Sequence, residues 1–170
     1  MDLMTTTMPA GHPHGAMRRE DREITDRATM DAILQRGNLM HLALCDQEVP
    51  FLVPVFYAYD GTALYFHSAK RGSKIEILKR NNRVCFEISE ALGVIPSDQA
   101  CNFEARHQTV IGHGLATFIE DQAAKIEVLD RIVAQFTSTA FTYPEANLRA
   151  TAVIRIDISS LKGKRHGMEE

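Results

Sequence analysis

The stretch YFHSAKRGSKIEILKRNNR, residues 65–83, decides how this chain is read. A short apolar strand end, Leu64 to Phe66, runs into a small, polar, basic turn. A helix then starts at Ser73. Six cations lie between Lys70 and Arg83 (Lys70, Arg71, Lys74, Lys79, Arg80, Arg83) against one acid, Glu76, an excess of five in a chain of net charge -3. A helix start carries unpaired N–H groups and the positive end of the helix dipole, so it favours an anion. Ser73, Lys70, Arg71 and Lys74 would turn that start into a phosphate cradle. The same residues have a plainer reading. Ser73 and Glu76 fit the capping box S-x-x-E, and lysines on a surface helix are commonly its solvated face.

The rest of the chain sets limits. Its 170 residues predict one domain with enough length for a sizeable core. An apolar share of 45% and a charged share of 24% are ordinary for a soluble globular protein. Mild acidity argues against a nucleic-acid partner. No apolar run reaches the ~18 residues of a membrane span. Residues 1–17 lack the apolar core of a secretory signal and read as a mobile, polar N-terminal arm. Cys45, Cys85 and Cys101 are odd in number and widely spaced, against both a disulfide framework and a structural zinc site. They predict a reducing, cytoplasmic setting.

Periodicity predicts a helix over ITDRATMDAILQRG, capped by Asp26, faced by Met30, Ile33 and Leu34 and ended by Gly37. Strands follow in NLMHLALCD and VPFLVPVFYAYDG, and Asp60-Gly61 predicts a hairpin into TALYFHSA. Pro54 requires an edge position or a bulge, because proline cannot donate to a ladder. The basic helix spans Ser73 to Arg80. RVCFEISE is a strand, Ala91 to Ala100 a loop, and NFEARHQTVIGHGLATFIED a long strand bent near Gly112 or Gly114. DQAAKIEVLDRIVAQFT predicts a helix with Ile126, Leu129, Ile132, Val133 and Phe136 inward. ATAVIRIDISSLKGK is a last strand, and Lys162 to His166 reads as a solvated tail. Six strands in hairpin order with three interspersed helices predict an α+β fold, a mostly antiparallel β-barrel with helices outside.

Motifs for hydrolytic or nucleotide-triphosphate chemistry are missing: there is no Gly-x-Ser-x-Gly, no His-Glu-x-x-His and no Gly-Lys-Ser/Thr. His107 and His113 share a strand face with Thr109 and Ile111, as metal ligands or, more ordinarily, as hydrogen-bonded surface groups, and no metal is assigned. His67 adjoins the basic turn and would face a ligand there. The strand Pro54–Tyr59 offers aromatic rings and backbone edges that suit a flat heteroaromatic ring. A ring along a strand and a phosphate at a helix start suggest flavin mononucleotide (FMN).

On these pieces the chain resembles the FMN-binding split β-barrel superfamily that includes the pyridoxamine 5'-phosphate oxidases, and within it the nitroimidazole-resistance branch. The matching order is EITDRATMDAILQRGNLMHLAL, then VPFLVPVFYAYDGTALYFHSAKRGSKIEILKRNNRVCFEI, then CNFEARHQTVIGHGLATFIED and a helix. The resemblance implies a six-stranded split barrel over residues 18–160, followed by a tail at 161–170. It implies a homodimer with two FMN sites at the subunit interface. Pro54, Val55, Phe56 and Tyr57 would lie along the flavin ring, and His67, Ser68 and Ala69 near the ring and ribityl chain. Ser73 and Lys74 would hold the phosphate with help from Lys70 or Arg71, and Thr109 and Val110 match the family's Ser-Val pair. The family's Tyr-Arg before that pair is His107-Gln108 here, and no residues match those that bind a vitamin B6 substrate. The activity implied is FMN-dependent reduction of a nitroaromatic, such as a 5-nitroimidazole, or of another small acceptor, with His67 as the catalytic group. The alternative is a non-catalytic flavin- or haem-binding protein of the same fold.

Overall fold

The computed structural model describes residues 14–168. Most of the expected arm at 1–17 therefore lies outside the described residues. In chain order the elements are β1 (Glu23–Ile24), α1 (Arg27–Arg36), β2 (Leu39–Asp46), β3 (Val49–Tyr59), β4 (Ala63–Ala69), α2 (Ser73–Arg80), β5 (Arg83–Ile95), β6 (Glu104–Ile119), α3 (Gln122–Val133), α4 (Glu145–Ala150) and β7 (Thr151–His166).

The strands run in the order β1-β7-β4-β3-β2-β5-β6, and β6 also pairs with β7. That last pairing closes β2 to β7 into a six-stranded barrel, with the two-residue β1 added against β7. Every pairing is antiparallel. The barrel interior is filled by alternate residues of each strand, among them Met40, Leu42, Tyr57, Leu64, Phe66, Phe86, Ile88, Val110, Ile154 and Ile156, all at most 1% exposed. Ile33 and Leu34 of α1 and Ile75 and Leu78 of α2 join this core. A second, outer cluster sets Val128, Leu129 and Ile132 of α3 and Leu148 of α4 on Ala58, Tyr65 and Val153.

Local signals are realised where they were strong. The Asp26 carboxylate accepts from the Thr29 amide at 2.8 Å and starts α1. Asp60 accepts from the Thr62 and Ala63 amides, both at 2.8 Å, and fixes the β3–β4 hairpin. The bend in β6 falls between His113 and Gly114, where the register with β7 shifts by one residue and the extra Ser159 donates to the His113 carbonyl.

Three expectations are corrected. The loop expected at Ala91–Ala100 is half strand: β5 continues to Ile95 across a bulge between Ala91 and Val94, where Gly93 takes φ 106°. The tail expected from Lys162 to His166 is the end of β7, paired residue for residue with Ile111 to His107. Phe136 does not face inward, because α3 stops at Val133 and leaves it 54% exposed.

Candidate functional site

β3 and β4 pair only from Tyr57↔Phe66 to Tyr59↔Leu64. Before Tyr57, β3 is paired with β2 alone. Beyond Phe66, β4 is carried by β7 alone, with His67 opposite Val153, Ser68 opposite Ala152 and Ala69 opposite Thr151. The two strands therefore part into a split. Pro54, Val55 and Phe56 form one bank and His67, Ser68 and Ala69 the other. Pro54 sits at this unpaired edge, so its missing N–H costs the ladder nothing. The Tyr57 amide points to β2, where it donates to the Asn38 carbonyl, so by alternation the Phe56 amide faces the split.

Side chains on the banks alternate. Pro54, Phe56, His67 and Ala69 are on the exposed, outer side of the barrel. Val55 and Tyr57 point into the core. Tyr57 is fully committed to the fold: its hydroxyl donates to the Leu34 carbonyl at 2.7 Å, and its own carbonyl accepts from Gln135 Nε2 at 2.6 Å. It can position the strand but offers a ligand nothing. Phe136 packs edge-on against Phe56 with ring centroids 5.5 Å apart, which makes it a neighbour of the split that the sequence reading had placed in the core.

The outer end of the split is closed by the start of α2. Gly72 precedes it at φ 118°, a conformation that only glycine adopts without strain. The Gly72 carbonyl takes the amides of Ile75 and Glu76, and no side chain caps the first turn. The capping-box reading is thus not realised, and Glu76 instead pairs with Lys79 at 3.1 Å. Arg80 pairs with Asp46 at 2.8 Å. Lys70, Arg71 and Lys74, around the uncapped turn, have no ion pair among the described residues. A helix start with unspent cations and no cap fits a phosphate.

His67 stands between split and cradle. Its ring is exposed at one side, but partial desolvation by its neighbours, then the Lys74 ammonium, holds its pKa below the ordinary imidazole value. At neutral pH it is an uncharged imidazole that can donate one hydrogen bond and accept another.

Thr109 and Val110 lie elsewhere. Val110 is fully buried in the barrel. Thr109 pairs with Lys164, whereas His67 pairs with Val153, eleven residues (164 − 153) further back on β7. At about 3.3 Å per residue that is roughly 36 Å along the strand. One chain therefore does not unite Thr109 with His67 and the cradle. The Thr109 hydroxyl is 2.8 Å from that of Ser89, which bonds Glu87, whose carboxylate meets His41 Nδ1 at 2.8 Å. This chain of polar groups crosses the outer face of β6, β5 and β2. His107 and His113, on the same side of β6 as Thr109, meet the rings of His166 and His14 at tilted angles.

Fold and site together define a split-barrel protein with an opening between β3 and β4. The chain belongs to the pyridoxamine 5'-phosphate oxidase family, whose model matches residues 26–165. A candidate 5-nitroimidazole antibiotic resistance protein of Bacteroides thetaiotaomicron is 31% identical, with a TM-score of 0.74 over 84% of this chain and 85% of that one. A flavocytochrome of Azotobacter vinelandii has a TM-score of 0.82 over 95% of this chain and 79% of its own, at 24% identity, a likeness of fold. An uncharacterized protein of Rhizobium meliloti is 28% identical over 98 residues, 49% of this chain and 64% of that relative's length. The chain thus spans less than two thirds of that relative. Among the described residues no helix is long and apolar enough to cross a membrane.

Proposed function

We propose that this chain is a flavin-dependent oxidoreductase that holds the FMN unit in the β3–β4 split and passes electrons to a small acceptor such as a nitroaromatic. The observation that carries this reading is the uncapped start of α2, with Lys70, Arg71 and Lys74 in no ion pair among the described residues, at the end of a split with an unpaired backbone edge. A bound flavin supplies the redox chemistry, and the protein supplies binding, orientation and electrostatics.

The residues divide the work. Ser73 and Lys74 hold the phosphate, the hydroxyl by donating a hydrogen bond and the ammonium, with Lys70 or Arg71, by neutralising its charge. Pro54 to Phe56 line the ring, with the Phe56 amide available to a ring carbonyl or nitrogen. His67 is neutral at pH 7, so it serves an acceptor as a hydrogen-bond donor rather than as a ready proton source. Phe56 and Phe136 give a flat substrate an aromatic wall.

The working unit is a homodimer in a reducing cytoplasm. Two features support the dimer. Leu39, Leu52, Phe56 and Ile111 are large apolar side chains left exposed on the outer sides of β2, β3 and β6. Thr109 reaches a flavin only if it comes from the partner subunit. The direct test is titration of the full chain with FMN, followed by turnover with reduced nicotinamide and a 5-nitroimidazole. Saturable binding with turnover supports the enzyme. Binding without turnover leaves a flavin carrier, and no binding removes the reading.

A further inference from the structure

α3 stops at Val133, and the chain beyond it is held at both ends. The amides of Phe136 and Thr137 donate to the Val133 carbonyl at 2.9 and 3.2 Å, a tight turn that closes the helix. Gln135 Nε2 then donates to the Tyr57 carbonyl at 2.6 Å, across 78 residues of sequence. At the far end the Tyr143 hydroxyl donates to Asp130 Oδ1 at 2.8 Å, and its ring packs on the outer cluster. Phe136 is thereby carried to the bank of the split at Phe56. The two rings meet edge to face at 85° with centroids 5.5 Å apart. Each remains 54% exposed. Two apolar rings fixed in place and left half open make a corner that a ligand ring can fill.

One hydrogen bond carries much of this placement. A cleft of 410 Å³, lined by Asn38, Arg131, Ala134 and Gln135 among others, lies against the segment, so packing supports it weakly on that side. Without the Gln135 amide, Phe136 has room to leave Phe56. The chemistry of the corner narrows its occupant. An aromatic face carries the negative part of the ring quadrupole. A flat ring drained of electrons by a nitro or quinone group therefore stacks there better than a saturated ring does. We infer that Phe136 is a specificity-determining residue that selects a flat, electron-poor aromatic acceptor, and that Gln135 is the positioning residue that holds its ring at Phe56. This rests on the flavin reading above and adds the residues that choose the acceptor.

The test is a binding equilibrium and needs no turnover. The full chain, loaded with oxidised FMN, is titrated calorimetrically with nitrobenzene and with nitrocyclohexane, which share the nitro group and differ in the ring. Nitrobenzene is expected to bind ~10-fold more tightly, since each of two ring contacts is worth a few-fold. Phe136→Leu should remove most of that preference and Phe136→Tyr should keep it, with the FMN dissociation constant within roughly twofold in both. Gln135→Ala should lose as much as Phe136→Leu, and the double variant should lose no more than either, because the two residues act through one ring. Both side chains are exposed, so the variants should fold. Equal binding of the two compounds, a preference that survives Phe136→Leu, or additive losses in the double variant overturn the inference and leave the flavin reading standing. Failure of FMN to bind overturns the two together.

Discussion

Lys74 and Ser73 are adjacent, and two substitutions separate the charge of the one from the capping role open to the other. Lys74→Ala removes a cation that no carboxylate among the described residues holds and should weaken flavin binding by about 1.5–3 kcal/mol, or ~10- to 150-fold. Ser73→Ala removes no cap, so the melting of the free protein should stay within about 0.5 kcal/mol of wild type. A large loss of stability in Ser73→Ala would restore the capping box and weaken the case for a phosphate. For His67, burial and Lys74 lower the pKa, so the ring is neutral above pH ~6.5 and stays so somewhat below it. Its contribution to stability is therefore present above pH ~6.5 and is lost as pH falls towards the folded value. His67→Ala should cut turnover with flavin affinity nearly unchanged, and His67→Gln, which keeps a donor, should recover part of it. Unchanged turnover in steady-state assays of His67→Ala would remove the residue from the chemistry.

The β3–β4 hairpin is the element that makes the split, and Asp60 holds its turn. Burial raises the Asp60 pKa, but donors from Ala63, Tyr65 and Thr62 outweigh it and hold the carboxyl below the usual range. Its stabilisation is thus present above the unfolded value of ~3.9 and is lost as pH falls below it. Asp60→Asn should lower the melting temperature at pH 7 and matter less near pH 3, which thermal scans at the two pH values would show. In the bent strand β6, a methyl added by Gly112→Ala would meet the Phe86 ring and, at 2.8 Å, Leu161 Cδ2. The expected cost is about 1–3 kcal/mol in denaturant unfolding. Elements of this kind were legible in the sequence, because Asp60-Gly61, the Asp26 cap and the glycines of β6 act on their immediate neighbours. The strand ends were not. Lys162 to His166 resembles a polar tail until β6 lies beside it, and Gly93 resembles a loop until the bulge lets β5 resume. Both outcomes are set by pairing partners far away in the chain.

For the whole molecule, the same contrast separates the two halves of the candidate site. Pro54–Phe56, His67–Ala69 and Lys70–Lys74 lie within 21 residues of one another (54 to 74), so a single hairpin and turn unite them and the sequence exposes them as a block. Within one chain the register of β7 holds Thr109 at the other end of the strand from that block, so under the proposed reading it joins the block only from a partner subunit. This predicts that a charge on the exposed apolar face, Ile111→Glu, converts a dimer to a monomer in light-scattering chromatography. It should weaken flavin binding as well, although Ile111 is far from the cradle of its own chain. A variant that stays dimeric and binds flavin normally would place the interface elsewhere. The central claim, that the split and its cationic helix start hold a flavin, meets its most direct test in the visible absorption spectrum of the freshly purified protein incubated with flavin and freed of excess. A two-band yellow flavin spectrum, absent in Lys74→Ala, is the result predicted here. A colourless protein, or one with a sharp haem band and no flavin, would contradict it.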